Sequence, residues 1–108
     1  MNLFHLSYDV ENTAVHPNEW VLERLVEVLV RRLNSTIIRR PAETTIVFDS
    51  VLGYFDVMRI IGEWADLCHV CFAASQMLPH EDGKRFYYML RGNANLQEAV
   101  DVCVRRIR

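Results

Sequence analysis

Leu3-Phe4-His5-Leu6-Ser7-Tyr8-Asp9-Val10 is the stretch on which the fold turns. Phe4, Leu6 and Tyr8 alternate with His5, Ser7 and Asp9, the period-2 signature of a strand with one face buried and one face wet. A half-buried strand needs a sheet around it and helices on its apolar side. The remaining segments supply both.

After Glu11-Asn12-Thr13, the run His16-Pro17-Asn18-Glu19 opens a helix, because proline suits a first turn in which its missing N–H has no role. Leu22, Leu25, Val26, Leu29 and Leu33 then recur at three- and four-residue steps, and Glu23, Glu27 and Arg31 form a charged ladder on another face. Asn34 or Ser35 ends the helix. Thr36-Ile37-Ile38 and Thr44-Thr45-Ile46-Val47-Phe48 are β-branched runs, either two strands or one long strand interrupted at Pro41. From Leu52 to Leu67 the charges Asp56, Arg59, Glu63 and Asp66 share a stripe, which leaves Phe55, Val57, Met58, Ile61, Trp64 and Ala65 for the core of a second helix. Val70 to Met77 reads as a buried strand, Pro79 to Gly83 as a turn, and Arg85 to Leu90 as an aromatic strand. Asn93 or Asn95 caps a last helix in which Leu96, Val100, Cys103, Val104 and Ile107 make the buried stripe.

The order strand, helix, strand, strand, helix, strand, strand, helix predicts an α+β domain. Its β-α-β-β-α-β core is the ferredoxin-like arrangement, with an added C-terminal strand and helix. A chain of 108 residues has the size of one domain, so residues 1–108 are expected to fold as a single unit. Its 51% hydrophobic and 24% charged residues are the balance of a folded domain and exclude a disordered chain. No apolar stretch reaches the roughly 18–20 residues of a membrane span, and the first residues lack the pattern of a signal peptide. A cytoplasmic location, without a membrane partner, is the expectation. Cys68, Cys71 and Cys103 are an odd number, so a disulfide framework is not expected.

A net charge of −2 excludes a protein that coats nucleic acid over its whole surface, but it leaves room for local basic patches. Among the 12 Lys and Arg residues Lys84 is the only lysine. Arginine forks match phosphates bidentately, which suits a nucleic-acid partner, and GC-rich codon usage gives the same bias.

Two motifs go further than composition. Leu6-Ser7-Tyr8-Asp9-Val10 ends the first strand in Ser-Tyr-Asp, and one helix later comes Ser35-Thr36-Ile37-Ile38-Arg39-Arg40-Pro41-Ala42-Glu43-Thr44-Thr45-Ile46-Val47-Phe48. Over residues 3 to 75 this resembles the small dimeric CRISPR-adaptation subunit (the non-integrase partner) and its relatives, the VapD toxins and SinR-like proteins. Those chains open with an apolar strand ending in Tyr-Asp, followed by a helix and an Arg-containing strand. The resemblance implies a ferredoxin-like homodimer acting on or beside nucleic acid. It further implies that Asp9 is the metal ligand of a nuclease activity which many members lack, with Mg²⁺ as cofactor and Arg39 or Arg40 as phosphate contacts. Pro41 stands near the place where the family commonly carries a serine, which is a departure from its pattern.

Each candidate residue also has a plainer role. Asp9 at a strand tip could hold Mg²⁺ together with its copy across a two-fold axis, whereas a single aspartate there more often just starts a turn. Arg31-Arg32, Arg39-Arg40 and Arg105-Arg106-Arg108 make a phosphate-binding surface only if the helix ends and the strand hairpin lie side by side, and arginines at two helix C-termini also suit the dipoles. Phe86, Tyr87 and Tyr88 on an edge strand are expected in a dimer seam rather than under stacked bases. Cys68-His69-Val70-Cys71 has zinc-knuckle spacing but no second pair, and its cysteines fall on opposite faces. His5, His16, His69 and His80 are scattered, with no partner at triad spacing.

Two function classes follow. The first is a homodimeric protein acting on or beside nucleic acid which, if catalytic, hydrolyses RNA or DNA phosphodiesters, as a metal-dependent endoribonuclease does, with Asp9 binding the cation. The alternative is a non-catalytic protein-interaction module, such as a phage- or plasmid-borne inhibitor or regulator, anti-CRISPR proteins included.

Overall fold

The alternating stretch becomes the central strand of the molecule. The computed structural model describes residues 2–79, 86–92 and 97–107. Its elements are β1 (Asn2–Val10), α1 (Asn18–Arg31), β2 (Ile38–Ala42), β3 (Thr45–Ser50), α2 (Tyr54–Cys68), β4 (Val70–Pro79), β5 (Phe86–Gly92) and α3 (Gln97–Ile107). The five strands form one sheet in the order β2-β3-β1-β4-β5, with every described neighbour pair antiparallel. The protein is therefore α+β. Because β3 is antiparallel to both β1 and β2, those two strands run in the same sense on either side of it, joined by α1. This is a split β-α-β unit, compatible with a ferredoxin-like fold.

Register sorts the two faces. Phe4 stands opposite Phe48 on one side and Gln76 on the other, and Leu6 stands opposite Ile46 and Ala74. The Phe4 and Phe48 rings stack at 5.4 Å. Phe4, Leu6, Ile46, Phe48 and Ala74 join Val21, Leu25 and Leu29 of α1 and Val57, Met58, Ile61 and Trp64 of α2 in one apolar cluster. Both helices thus cover the same face of the sheet. The opposite face, carrying His5, Ser7 and Asp9 of β1, receives no cover from α1 or α2.

Several expectations shift. The buried row of α1 is Val21, Leu25 and Leu29, continued by Leu33 just past the helix end, and it leaves Val26 36% exposed on its flank. Phe55, expected in the core, is 78% exposed because it stands four residues before Arg59 and eleven before Asp66, on the charged stripe of α2, while Tyr54 just before it packs against the core. On α3, Val100, Val104 and Ile107 are 52%, 36% and 85% exposed and Cys103 is exposed too, so the expected buried stripe faces outward. An apolar periodicity marks a face but not what covers it. The turn residues His80 to Gly83, Arg85, the caps Asn93 and Asn95, and Leu96 lie outside the described residues.

Pro41 does not divide two strands but falls within β2. The pairing of β2 with β3 shifts between Arg39 and Ala42, and β2 is a sheet edge, where a missing N–H breaks no ladder bond. Strand β2 starts only at Ile38 because the N–H groups of Thr36 and Ile37 donate to the Asp49 carboxylate, both at 2.7 Å. Asn34, at φ 51, reverses the chain after α1 in the left-handed region that asparagine tolerates.

Gly62 lies inside α2, and a Cβ built on it meets nothing within 4 Å. Gly62→Ala should therefore raise stability by about 0.5–1 kcal/mol, since alanine loses less backbone entropy on folding. Urea denaturation followed by circular dichroism reads this directly. Among the described residues no helix is long and apolar enough to cross a membrane.

Candidate functional site at the exit of the central strand

Asp9 is exposed, on the face of the sheet that α1 and α2 leave uncovered, opposite Cys71 of β4. One residue beyond the strand, the Glu11 N–H donates to the His69 carbonyl at 3.2 Å, tying the β1 exit to the junction between α2 and β4. That junction is a single residue. Helix α2 ends at Cys68 and β4 starts at Val70, so His69 alone must reverse the chain, at φ 53 and ψ 57. A non-glycine residue in the left-handed region costs about 1–2 kcal/mol. Its N–H still caps the helix by donating to the Ala65 carbonyl.

On the other side of the exit, Asn12 organises a turn. Its Oδ1 accepts from the Ala14 N–H at 3.1 Å, and its carbonyl accepts from the His16 N–H at 3.0 Å. This aims the His16 imidazole between two partners. It stacks on Trp20 at 4.7 Å with planes 17° apart, and on His69 at 5.5 Å with planes 12° apart. The Arg24 guanidinium lies over the far end of the column, 5.5 Å from the Trp20 ring. Glu11, Asn12, Val15, His16 and His69 line a cleft of about 260 Å³.

The Cys71 thiol donates to Glu11 Oε1 at 3.3 Å. That hydrogen bond, then burial and the negative charges of Glu11 and Asp9, push the thiol pKa up. Cys71 therefore stays protonated and is a poor nucleophile. Burial likewise raises Cys68 and Tyr8, the latter opposed by the charge of Arg40. Cys68 is buried at the end of α2 and Cys71 sits half-buried on β4, so the two thiols belong to different elements rather than to opposite faces of one strand.

The arginines divide between the two ends of the sheet. Arg40 Nε donates to the Glu43 carbonyl in the β2–β3 turn, and the adjacent Thr44 carbonyl accepts from the Tyr8 N–H. Arg40 thus stands at the Asp9 end. Arg39 is opposite Val47, which is opposite His5, so it lies midway along the sheet. Arg31 and Arg32 belong to the other end, where Ser50, the partner of Asn2, donates to the Leu33 carbonyl. Between Asn2 and Asp9 lie about 23 Å of strand. Arg32 is also engaged with Glu63 of α2 at 2.7 Å. Phe86, Tyr87 and Tyr88 belong to β5, an outer strand of the sheet, and their side chains lie outside the description.

Among the described residues no three His, Cys, Asp or Glu side chains are placed to hold a metal ion together. Asp9 and, two residues on, Glu11 are the carboxylates that the β1 exit carries. Sequence reasoning missed the pairing of His16 with His69, which follows from Val10 of β1 standing opposite Val70 of β4 and from the Glu11 hydrogen bond to His69. The legible signal was the lack of any loop between a helix ending at Cys68 and a strand starting at Val70.

Compared with protein-family models, curated proteins and solved structures, the chain finds no match.

Proposed function

We propose that this chain is a ferredoxin-like protein of the CRISPR-adaptation and VapD kind, acting as a homodimer on nucleic acid, with Asp9 as the metal-holding carboxylate of phosphodiester hydrolysis. The observation that carries the reading is the exposed Asp9 on the uncovered face of the central strand. A carboxylate at such a place is open to a substrate and to the same residue of a second copy. The uncovered face also presents half-buried Leu3, His5, Val47 and Met77, a mixed surface that suits contact with another protomer. The outer strand β5, with Phe86 to Tyr88, extends that contact in the proposed dimer.

Carboxylate oxygens are the donors that Mg²⁺ prefers, and one or two of them together with substrate phosphate oxygens satisfy it. In the proposed dimer Asp9 and its copy would hold the ion, which when bound supplies a polarised water and neutralises charge on the phosphate. Arg40, at the same end of the sheet, offers a planar fork to the phosphate backbone, and Arg39 a second contact further along.

A second reading rests on α3. Its exposed Val100, Val104 and Ile107 form an apolar ridge on an amphipathic helix, the surface of a non-catalytic protein-interaction module.

One experiment separates the two. Wild type and Asp9→Asn are incubated with labelled single-stranded RNA, single-stranded DNA and duplex DNA in Mg²⁺, with sedimentation equilibrium alongside. Asp9→Asn should lower cleavage by about 100-fold. Because Asp9 is exposed, its folding stability should stay within about 0.5 kcal/mol of wild type. Unchanged cleavage in Asp9→Asn refutes the nuclease assignment, and a dimer that neither cleaves nor binds nucleic acid in a salt-dependent way favours the interaction module.

A further inference from the structure

We propose that the cleft at the β1 exit is a nucleobase subsite that takes guanine. The inference rests on the nucleic-acid reading above and adds the base that flanks the bond at Asp9.

Three features converge on it. The first is the stack of Trp20, His16 and His69, whose planes differ by 17° and 12° from one ring to the next. A near-parallel column ending in an exposed imidazole that lines a cleft extends naturally by one more flat ring, and bases stack on histidine and tryptophan in just this way. The second is the residue at the turn. Glycine would satisfy φ 53 at position 69 without strain, and the cap onto Ala65 uses only the backbone N–H. What histidine adds there is the ring. A strained non-glycine residue beside a cleft is the kind of local outlier from which a functional role is properly inferred.

The third is the hydrogen-bonding edge. Glu11 lines the cleft with one carboxylate oxygen anchored by the Cys71 thiol. A carboxylate only accepts, so its best partner is a base with two adjacent N–H donors. Guanine carries such a pair at N1 and N2. Adenine and cytosine place an acceptor beside their amino group, and uracil has a single N–H between two carbonyls. Asn12 completes the selection, because its Oδ1 is taken by the Ala14 N–H and the free group it brings to the cleft is the amide N–H₂, a donor for guanine O6. A volume of about 260 Å³ suits one base rather than a larger ligand. Glu11 is two residues from Asp9, about 7 Å along an extended chain, so a nucleotide seated here has its phosphates within reach of Asp9.

The test uses the full-length protein without Mg²⁺, titrated with guanosine, adenosine, cytidine and uridine 5′-monophosphates while the His16 and His69 ring resonances are followed by NMR. Guanosine monophosphate should shift both rings and bind at least about tenfold more tightly than the other three. Glu11→Gln should abolish that preference, and His69→Gly should weaken guanosine monophosphate by about tenfold while melting no lower than wild type, since glycine relieves the left-handed strain. Equal affinity for all four nucleotides overturns the proposal, as does a folded His69→Gly protein that binds guanosine monophosphate as wild type does. If guanine preference holds while Asp9→Asn still cleaves, only the role of Asp9 falls. If cleavage needs Asp9 but no base is preferred, only the subsite falls.

Discussion

Trp64→Ala is expected to destabilise the fold by about 3–5 kcal/mol, the usual cost of deleting a large buried aromatic. Trp64 is 2% exposed and belongs to three elements at once. It rides on α2, presents its face edge-on to Tyr8 of β1 at 5.4 Å and 90°, and donates through Nε1 to the Val21 carbonyl of α1 at 3.4 Å. For a small domain whose total stability is about 5–15 kcal/mol, such a loss leaves a protein near the edge of folding at 37 °C. Urea denaturation followed by circular dichroism at 222 nm measures it, and Trp20 remains as a local fluorophore in the variant. Val21 is next to Trp20, so the loosened packing should reach the His16 and His69 column as well. Phe55→Ala is the matched control: 78% exposed on the same helix, it should change stability by no more than about 0.5 kcal/mol.

That contrast shows where the sequence was readable. The alternation over residues 3–10 identified the sheet and its buried face, because a period-2 pattern has one structural solution when one face must leave water. The helical stripes of α1 and α2 were readable for the same reason, within one position around the helix axis. Phe55 is apolar by type but stands four residues before Arg59 and eleven before Asp66, on the charged side of α2, so residue type and spacing disagree there and spacing wins. The stripe of α3 was read correctly as apolar and wrongly as buried; Val100, Val104 and Ile107 show that amphipathicity is a property of the helix while burial is a property of its neighbours. Asp9 could be placed at a strand tip from its position alone. The paired arginines looked alike in the sequence, and only the opposite directions of α1 and β1 show that Arg31 and Arg32 lie far from Asp9. The His16 and His69 pair could not be read at all, because it depends on a turn and a one-residue junction meeting across the sheet.

Asp49→Ala should be the most damaging polar substitution, lowering the thermal midpoint by roughly 10 °C. Asp49 is 2% exposed near the end of β3, and its carboxylate accepts from the Thr36 N–H and the Ile37 N–H at 2.7 Å and from the Thr36 hydroxyl at 2.6 Å. The Ser35 hydroxyl donates to the Asp49 carbonyl in the same loop at 2.6 Å. One side chain therefore satisfies three donors at the end of the connection from α1 to β2, and alanine would strand two backbone N–H groups and a hydroxyl. The hydrogen bond from the Thr36 side chain, then that from the Ile37 N–H, holds the Asp49 pKa below the ordinary carboxylate value against the opposing effect of burial. A carboxylate whose folded pKa is depressed stabilises the fold fully above its unfolded pKa, near 3.9, and loses that contribution as the pH falls through the folded value. Asp49→Asn isolates the effect: its oxygen can still accept the two N–H groups, but it carries no charge to protonate. The gap in thermal midpoint between wild type and Asp49→Asn should be constant from pH 7 down to about pH 5 and close progressively below about pH 4. Glu63, lowered chiefly by its hydrogen bond from Arg32, is present in both proteins and cancels in the comparison. A gap that stays constant down to pH 2 would mean that the loop is held by its backbone alone and that the charge of Asp49 has no part in it.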